Sequence, residues 1–405
     1  MAMADAAVLF DPNSEALLQE RYSVYRLMRE RAPVYEVPGF GFPVRMLFRY
    51  DDVGAVLKSP AFVRQARNAG RELPVREEML PIQQIFATWM LLRDPPDHTR
   101  LRALVSKAFT PRTVQEMAGF IQKTAEALLD RVAGQSTFDL LRDFASPLPV
   151  MVIARLLGAP DEDRELFRGW AQLIAAFLGA WSIDDVPPES PRAALEMAGY
   201  MRRLLDERRR SPREDLLSAL LAAEEDGNRL THDEVIGTAI MLLTAGHETT
   251  VNLIANGTYA LLKNPDQVER LRRSPELLPL AVEELLRYDS PVQMTARHCA
   301  RPAEVGGVPF ERGTGVFLVL GSANRDPGSF PDPDQLDVGR TPNNHLAFGH
   351  GIHYCVGAGL ARLEAEIAFA SLLPRLPVLA LREEPRYVAN MAFRALEALP
   401  VAWRA

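Results

Sequence analysis

One segment predicts a single long helix that is buried through the middle of the protein. Thr231 and Glu234 have the spacing of a capping box, in which the two residues exchange hydrogen bonds at a helix start. No proline follows until Pro265, so the helix can run for about 30 residues, or roughly 45–50 Å. Its centre, 235–245, is apolar nearly all round, which is typical of a helix enclosed on every side.

Further helices and short strands account for most of the remaining sequence. Residues that favour helix (Ala, Leu, Glu and Arg) dominate four segments: 113–132, 192–210, 214–225 and 358–373. Short strand patterns occur at 33–37, 45–49, 292–300, 304–310 and 314–320. The pair Gly306-Gly307 predicts a tight turn within one of them. The sequence therefore predicts a mainly α fold with small β-sheets.

The organisation of the chain favours one domain. A length of 405 residues would suit two or three domains. No repeat or low-complexity tract divides the sequence, however, and the richest proline cluster, 186–191, is too short for a domain linker. We predict a single large domain over residues 1–405.

Composition and charge are typical of a cytoplasmic globular protein. Apolar residues make up 47% and charged residues 24% of the chain, and the net charge of −7 gives no reason to expect nucleic acid binding. Two cysteines, Cys299 and Cys355, cannot form a disulfide framework, which favours a reducing compartment. Residues 1–11 lack the pattern of a signal peptide, and no apolar stretch reaches the ~18 residues of a membrane span. We therefore expect no membrane attachment.

The second informative feature is Cys355, which lies in the glycine-rich segment 348–357, directly before a helical run. The glycines allow the backbone to fold tightly around the sulfur. A thiol before a helix start feels the positive end of the helix dipole and nearby N–H donors, and both favour the thiolate. Such a thiolate is a metal ligand or a nucleophile, whereas a lone cysteine elsewhere is usually a small core residue.

The buried helix carries a polar motif at its centre, where Gly246, Glu248 and Thr249 follow the apolar run. Polar groups in an apolar setting are unfavourable unless they have partners or a function. The simplest account of Thr249 is a hydrogen bond to its own i−4 carbonyl. Gly246, three residues earlier, lacks a side chain and leaves space on the same helix face.

These segments resemble the cytochrome P-450 family, specifically its soluble bacterial members. The haem-loop pattern Phe-x-x-Gly-x-His-x-Cys-x-Gly matches at Phe348, Gly351, His353, Cys355 and Gly357. The oxygen-binding motif Ala-Gly-x-Glu-Thr matches at Ala245, Gly246, Glu248 and Thr249. The Glu-x-x-Arg motif matches at Glu284 and Arg287, and Arg340 stands where the family places the arginine that completes this triad.

The resemblance implies a P-450 fold around one buried haem b. Cys355 would be the axial ligand of the haem iron, and a thiolate in that position favours O–O cleavage. Phe348 would pack near the sulfur, and Gly357 would complete the haem loop.

The matched helix motif implies a site for O₂. Ala245 and Gly246 would border this site, Thr249 would steady bound oxygen, and Glu248 would help to deliver protons. By contrast, the triad of Glu284, Arg287 and Arg340 would be structural.

Four more residues stand at positions that the family uses to hold the haem propionates: His98, Arg102, Arg297 and His353. His98 and Arg102 are four residues apart, so they share one face of a helix. Two carboxylates in a protein interior need cationic partners. The alternative for each of these residues is ordinary surface charge.

The implied reaction inserts one atom of O₂ into an apolar organic substrate, by hydroxylation or epoxidation, and the other atom leaves as water. Two cysteines cannot hold an iron–sulfur cluster that needs four. Electrons derived from NAD(P)H would therefore come from a ferredoxin or flavodoxin with its reductase. Arg100, Arg112 and Arg362 are candidates for the docking surface, with solvated arginines as an equal alternative. We expect a monomeric bacterial enzyme of secondary metabolism.

Two other functions stay open at this point. A haem-thiolate peroxygenase would use hydrogen peroxide without a reductase, and a haem sensor or carrier would catalyse nothing. Because the pair of Glu248 and Thr249 serves O₂ chemistry, its presence argues against both.

Substrate specificity is expected in the segments Phe62–Leu92 and Phe167–Tyr200. Their large side chains predict a bulky, apolar substrate: Phe86, Trp89, Trp170, Phe177 and Trp181.

Overall fold

The computed structural model describes residues 10–12, 14–72, 76–181, 183–225 and 227–403. Its α-helices are α1 (Glu15–Gln19), α2 (Arg21–Arg31), α3 (Tyr50–Lys58), α4 (Leu80–Phe86), α5 (Asp97–Ala108), α6 (Pro111–Glu116), α7 (Ala118–Val132), α8 (Pro147–Leu157), α9 (Arg164–Gly179), α10 (Ser190–Arg210), α11 (Leu216–Ala222), α12 (His232–Lys263), α13 (Pro265–Arg273), α14 (Leu278–Tyr288), α15 (Leu320–Ala323) and α16 (Ala358–Leu372). Within the described ranges, no helix has the length and apolar character needed to cross a membrane.

The strands are short, as the sequence predicts. They are β1 (Val34–Glu36), β2 (Val44–Leu47), β3 (Phe62–Val63), β4 (Thr137–Asp139), β5 (Glu224–Glu225), β6 (Asn228–Arg229), β7 (Thr295–Cys299), β8 (Ala303–Val305), β9 (Val308–Phe310), β10 (Gly315–Leu318), β11 (Leu379–Leu381) and β12 (Pro400–Trp403). The prediction of a mainly α fold with small sheets is confirmed.

The chain divides into two compact units. The first comprises Met1–Leu73, Asn252–Cys355 and Leu372–Ala405, and the second comprises Pro74–Val251 and Val356–Ser371. The single domain expected over residues 1–405 stays a prediction.

A five-stranded sheet with the order β1-β2-β10-β7-β3 organises the first unit. Strands β2 and β10 are parallel, and the other neighbouring pairs are antiparallel. Leu47, Phe62, Cys299 and Leu318 belong to one buried cluster on this sheet. Cys299 is therefore the small core residue that its strand pattern favours, and burial raises the pKa of its thiol.

Packed helices make up most of the second unit. Helix α10 lies against α4, α9 and α11, and α7 lies against α8. Because α10 carries apolar residues at helical spacing, it buries Met197, Met201 and Leu205 completely.

Helix α12 is the long helix that the sequence predicts, and its 32 residues span about 48 Å. The capping box is present. The backbone N–H of Thr231 donates to Glu234 Oε2 over 2.8 Å, and the N–H of Glu234 donates to Thr231 Oγ1 over 3.2 Å. The helix ends at Lys263, two residues before Pro265 opens α13.

Two helices differ from their predicted bounds. The helix expected at 113–132 starts earlier, because Thr110 caps Pro111 at the first helical position, and it is interrupted at Met117. The helix expected at 214–225 stops at Ala222, because Ala223 adopts extended backbone and leads into the hairpin of β5 and β6. The turn at Gly306-Gly307 is confirmed, with φ values of 59° and 73°.

Gly237 on α12 gives a direct test of the packing in the second unit. A Cβ built at this position would overlap the Thr88 hydroxyl, which also donates to Ile85 O over 2.6 Å. We expect Gly237→Ala to lower the free energy of unfolding by about 1–3 kcal/mol through overpacking, as measured by chemical denaturation.

Gly119→Ala is the matched control, since Gly119 is also helical and has no neighbour within 4 Å of a built Cβ. That variant should be neutral or slightly stabilising. The double variant Gly237→Ala/Thr88→Ala should recover stability, and its failure to do so would contradict the assigned contact.

Candidate active site

The loop around Cys355 is folded as the glycine pattern requires. Gly349 and Gly351 have φ values of 69° and 73°, in the region that favours glycine. The N–H of Cys355 donates to Phe348 O over 3.0 Å, which closes the loop. Cys355 is partly exposed, whereas Cys299 is buried, and helix α16 begins three residues further along the chain, at Ala358.

Gly351 has a second reason to be glycine. A Cβ there would lie 2.6 Å from the carbonyl oxygen of Leu57, near the end of α3. The backbone of the cysteine loop thus lies against the backbone at the end of α3. Any side chain at position 351 would push the loop away from this helix. The match of Gly351 to the haem-loop pattern therefore has a packing cause.

The ring of Phe348 lies beside Tyr354, with 6.3 Å between the ring centroids, and beside His345 at 6.0 Å. His345 is held in turn by Glu283, whose Oε2 lies 3.0 Å from His345 Nε2. His345 could not be predicted from the sequence, because a histidine ten residues before Cys355 belongs to no motif. The contact with Phe348 identifies it as a support of the cysteine loop.

The predicted triad of Glu284, Arg287 and Arg340 is assembled and buried. Arg287 donates two hydrogen bonds to the Glu284 carboxylate, of 2.7 and 2.8 Å. Arg340 Nε lies 3.1 Å from each carboxylate oxygen. Glu284 and Arg287 are fully buried, and desolvation lowers the pKa of Arg287.

The same arginines hold the chain that leads to Cys355. Arg287 Nη1 donates to Asn324 O and Pro333 O, and Arg340 Nη1 donates to Pro331 O. Asn324 Oδ1 accepts from the N–H of Leu346 over 2.7 Å, only two residues before Phe348. The triad thus supports the cysteine loop through backbone carbonyls, which agrees with a structural role.

The cationic residues predicted to hold propionates fall in both units. Arg297 lies on β7 and is 5% exposed, and His353 ends a short 3₁₀ turn in the cysteine loop. In the second unit, α5 carries His98 and Arg102 on one face. Burial, and then the charge of Arg102, lower the pKa of His98. The contact of these residues with propionates stays a prediction.

The centre of α12 opens at the predicted oxygen motif. Leu242, Leu243 and Thr244 are buried, but Ala245 is exposed and Thr249 is half-buried. The Thr249 hydroxyl donates to Ala245 O over 2.6 Å, which is the local i−4 bond that the sequence suggests as the simplest account. Gly246 and Glu248 are also partly exposed. A stretch of small and polar residues therefore interrupts the buried surface of the helix.

The second unit contains two buried ionisable groups that the sequence did not predict to be buried. Desolvation lowers the pKa of His247 to about 4, so the imidazole is neutral at physiological pH, and neither ring nitrogen has a hydrogen-bond partner among the described residues. Desolvation also raises the pKa of Glu364 well above its usual value. Sequence alone does not reveal such groups, because their burial depends on packing partners far along the chain.

The segments expected to set specificity meet in the second unit. A cleft of about 580 Å³ is lined by Arg76 and Met79 from one segment and by Val186 and Leu195 from the other. The Phe86 ring lies 4.4 Å from Trp89 and 5.2 Å from Phe177, between ring centroids. Trp170 belongs to a second aromatic group, with Phe167 and Tyr200. Trp181 is partly buried.

A larger cleft of the second unit, about 1290 Å³, is lined by charged residues such as Arg155 and Asp215. None of the residues predicted to contact haem or oxygen lines it. It therefore has no part in the predicted chemistry.

The arginines proposed for partner docking are differently placed. Arg100 forms a two-point ion pair with Glu234 and so supports the cap of α12. Arg112 is exposed and pairs with Glu116 over 2.9 Å. Arg362 on α16 is half-buried. Of the three, Arg112 presents the most accessible charge, and the docking role stays a prediction.

Comparison with known proteins decides the family. The model of the family described as cytochrome P-450 matches residues 20–390. The chain belongs to the cytochrome P-450 family. It is similar to the cytochrome P-450 monooxygenase PikC of Streptomyces venezuelae, with 44% identity over 95% of this chain and 91% of the relative. It is also similar to 6-deoxyerythronolide B hydroxylase of Saccharopolyspora erythraea, with 38% identity over 96% and 98%.

A solved structure supports the same fold. P450BioI, in complex with an acyl carrier protein ligated to hexadec-9Z-enoic acid, superposes with a TM-score of 0.88 at 41% identity, over 95% of this chain and 98% of that one. The chain thus has the P-450 fold. It is a haem-thiolate monooxygenase that inserts one atom of O₂ into an organic substrate with electrons from a redox partner.

The residues present fit a haem. The cysteine loop offers one partly exposed thiol, the ligand that the family requires, on a backbone fixed by glycines. Arg297 and His98 are almost fully buried, and a cationic or polar side chain in that setting suits a carboxylate. Ala245 and Gly246 are small and at least partly exposed, so they leave space beside α12. These residues therefore fit the haem that the family implies.

The triad predicts a large loss of stability in one variant. Glu284→Ala leaves the guanidinium groups of Arg287 and Arg340 buried without their anion, so we expect a loss of roughly 3–5 kcal/mol in the free energy of unfolding. Urea denaturation of the holoprotein measures it.

The exposed Glu276 of the same unit provides the control, because Glu276→Ala removes the same group and should be neutral within about 0.5 kcal/mol. A loss below about 1 kcal/mol for Glu284→Ala would contradict the structural role of the triad.

Proposed function

We propose that Cys355, as a thiolate, is the axial ligand of haem b. The observation that carries the proposal is the fixed backbone of the cysteine loop, in which Gly349 and Gly351 adopt left-handed conformations and the Cys355 N–H is bonded to Phe348 O. A structural cysteine would be fully buried, as Cys299 is, but Cys355 is not.

When bound, the haem supplies iron at which O₂ is activated, with electron density pushed from the thiolate. Phe348 limits the exposure of the sulfur to water, and Gly357 completes the loop. Four side chains hold the propionates: His98, Arg102, Arg297 and His353. Arg102 and Arg297 contribute fixed positive charge, whereas burial lowers the pKa of His98 and so favours the neutral imidazole, which has one N–H donor.

Thr249 and Glu248 are the catalytic residues of the proposal. The Thr249 hydroxyl uses its proton on Ala245 O, so its oxygen can accept a hydrogen bond from the reacting group. Glu248, the next residue, is partly exposed and can pass protons from solvent towards that position. Ala245 and Gly246 keep side chains away from the oxygen site.

The electron donor is proposed to be a ferredoxin or flavodoxin with its NAD(P)H-dependent reductase. Arg112 is the best candidate for contact with it among the arginines considered, since its side chain is 89% exposed. A cytoplasmic location and a monomeric state remain predictions from the sequence.

The substrate is proposed to be bulky and apolar. Phe86, Trp89 and Phe177 form an aromatic cluster between the two specificity segments. The relatives point the same way, since their names include 6-deoxyerythronolide B and hexadec-9Z-enoic acid, both with large apolar bodies.

The role of Thr249 is tested with any apolar compound that shifts the spin state of the wild-type iron. With a surrogate ferredoxin and reductase, Thr249→Ala should retain haem and bind the compound normally. The fraction of electrons recovered in product should fall by about tenfold, because the hydrogen bond at the reacting group is lost. Product and released hydrogen peroxide are measured against NADPH consumed.

Thr250→Ala is the matched control, because it removes the same hydroxyl one residue along, from a buried side chain on another face of α12. Its electron coupling should equal that of the wild type. Equal coupling in Thr249→Ala and Thr250→Ala would contradict the catalytic role.

A further inference from the structure

Helix α2 in the first unit buries a guanidinium group that faces no carboxylate. Among the described residues, three arginines are at most 1% exposed: Arg21, Arg208 and Arg287. Arg208 pairs with Asp215, and Arg287 pairs with Glu284. Arg21 forms no ion pair with any carboxylate in the described part of the chain, and its hydrogen bonds go to main-chain oxygens. A buried cation without an anion is unfavourable, and desolvation lowers the pKa of Arg21.

The contacts of Arg21 fix its position without balancing its charge. Nε donates to Leu17 O over 3.3 Å, Nη1 donates to Phe393 O over 3.3 Å, and Nη2 donates to Asn390 O over 2.7 Å. All three acceptors are neutral. Arg21 also opens α2, whose first turn contains no acidic residue, so the positive end of the helix dipole adds to its charge. Glu20, the preceding residue, is exposed.

The buried carboxylate of Asp289 already has partners of its own. It accepts hydrogen bonds from the hydroxyl groups of Tyr22, over 2.9 Å, and of Tyr387, over 3.2 Å. Its cationic partner is Arg394, whose Nε lies 3.6 Å from Asp289 Oδ1. The group of Arg21, Arg394 and Asp289 therefore carries one positive charge in excess. Buried charges are screened much less than charges at a surface, so this excess has a substantial energetic cost.

Beside Arg21, the hydroxyl of Tyr25 lacks an acceptor. The two residues are four apart in α2, so their side chains share one face of the helix. Burial raises the pKa of Tyr25 and the charge of Arg21 opposes that shift, which also places the two groups close together. Tyr25 is fully buried, and its hydroxyl has no hydrogen-bond partner among the described residues. A cation that needs an anion thus lies next to a donor that needs an acceptor.

We propose that Arg21 and Tyr25 bind one chloride ion inside the first unit. Both side chains donate hydrogen bonds, and an anion accepts them while it balances the excess charge. Because the two side chains are almost completely enclosed, the anion must be small. A water molecule could accept from Tyr25 but would leave the charge of Arg21 unbalanced. The ion strengthens the link between α2 and the C-terminal segment that Arg21 holds, and it has no part in the haem site.

The experiment compares urea unfolding of the holoprotein in sodium chloride and in sodium gluconate, each at about 100 mM, so that the ionic strength is the same. Gluconate is too large for an enclosed site of this kind. Unfolding is followed by circular dichroism. The test variant is Tyr25→Phe, which removes only the hydroxyl group. The matched control is Tyr22→Phe, which removes a hydroxyl that already donates to Asp289.

In the wild type, chloride should lower the apparent equilibrium constant of unfolding by about tenfold relative to gluconate, as for a dissociation constant of about 10 mM. Tyr25→Phe should reduce this effect to about twofold or less, because the ion loses one of its donors. Tyr22→Phe should keep the full chloride effect, although it is destabilised in both salts. In gluconate, Tyr25→Phe should be at least as stable as the wild type, because there its hydroxyl is buried without an acceptor.

The chloride site is overturned if the wild type is equally stable in the two salts, within about twofold, or if Tyr25→Phe and Tyr22→Phe respond equally to chloride. Should Tyr25→Phe not fold, wild-type crystals soaked in sodium bromide locate the ion by anomalous diffraction. A bromide peak between Arg21 and Tyr25 supports the site, and its absence there overturns it.

Discussion

The buried carboxylate of Glu284 is the interaction on which the predicted haem loop depends. It is fully desolvated, and two guanidinium groups, from Arg287 and Arg340, neutralise it. Neither arginine could remain buried without that anion. Because both also donate to backbone carbonyls between 324 and 335, the chain before the cysteine loop is held by one charge cluster. The position of Cys355 is thus set by residues that take no part in the chemistry.

The long helix α12 imposes a second constraint. Its apolar centre requires enclosure, yet the same helix must present Thr249 and Glu248 where chemistry can reach them. The structure meets both demands, because residues just before the motif are buried whereas Ala245 is exposed. Gly237, two residues after the start of the apolar run, packs against Thr88 so closely that no side chain fits. Small residues in this helix therefore serve packing at one position and access at another.

The long helix and the tight cysteine loop could be predicted from local sequence, because a capping box and closely spaced glycines are local patterns. The triad of Glu284, Arg287 and Arg340 was predicted only from the resemblance to the P-450 family, because Arg340 lies 53 residues after Arg287. The sequence missed strands such as β3, because two residues are too few to show the alternating pattern of a strand. Such a short strand is defined only by its hydrogen bonds to a neighbouring strand. It also missed His345 and Glu364. Their importance arises from neighbours distant in sequence, and pairing across a sheet or burial by another helix cannot be read from local pattern.

The most direct test of the account concerns the sulfur of Cys355 and needs no substrate. The purified protein is reduced with dithionite under carbon monoxide, and its Soret band is recorded beside that of a Cys355→His variant. We expect a strongly red-shifted band in the wild type, from a thiolate ligand, and a band at the position of an imidazole-ligated haem in the variant. A wild-type spectrum without the red shift, or a red shift that persists in the variant, would contradict the claim that Cys355 ligates the iron.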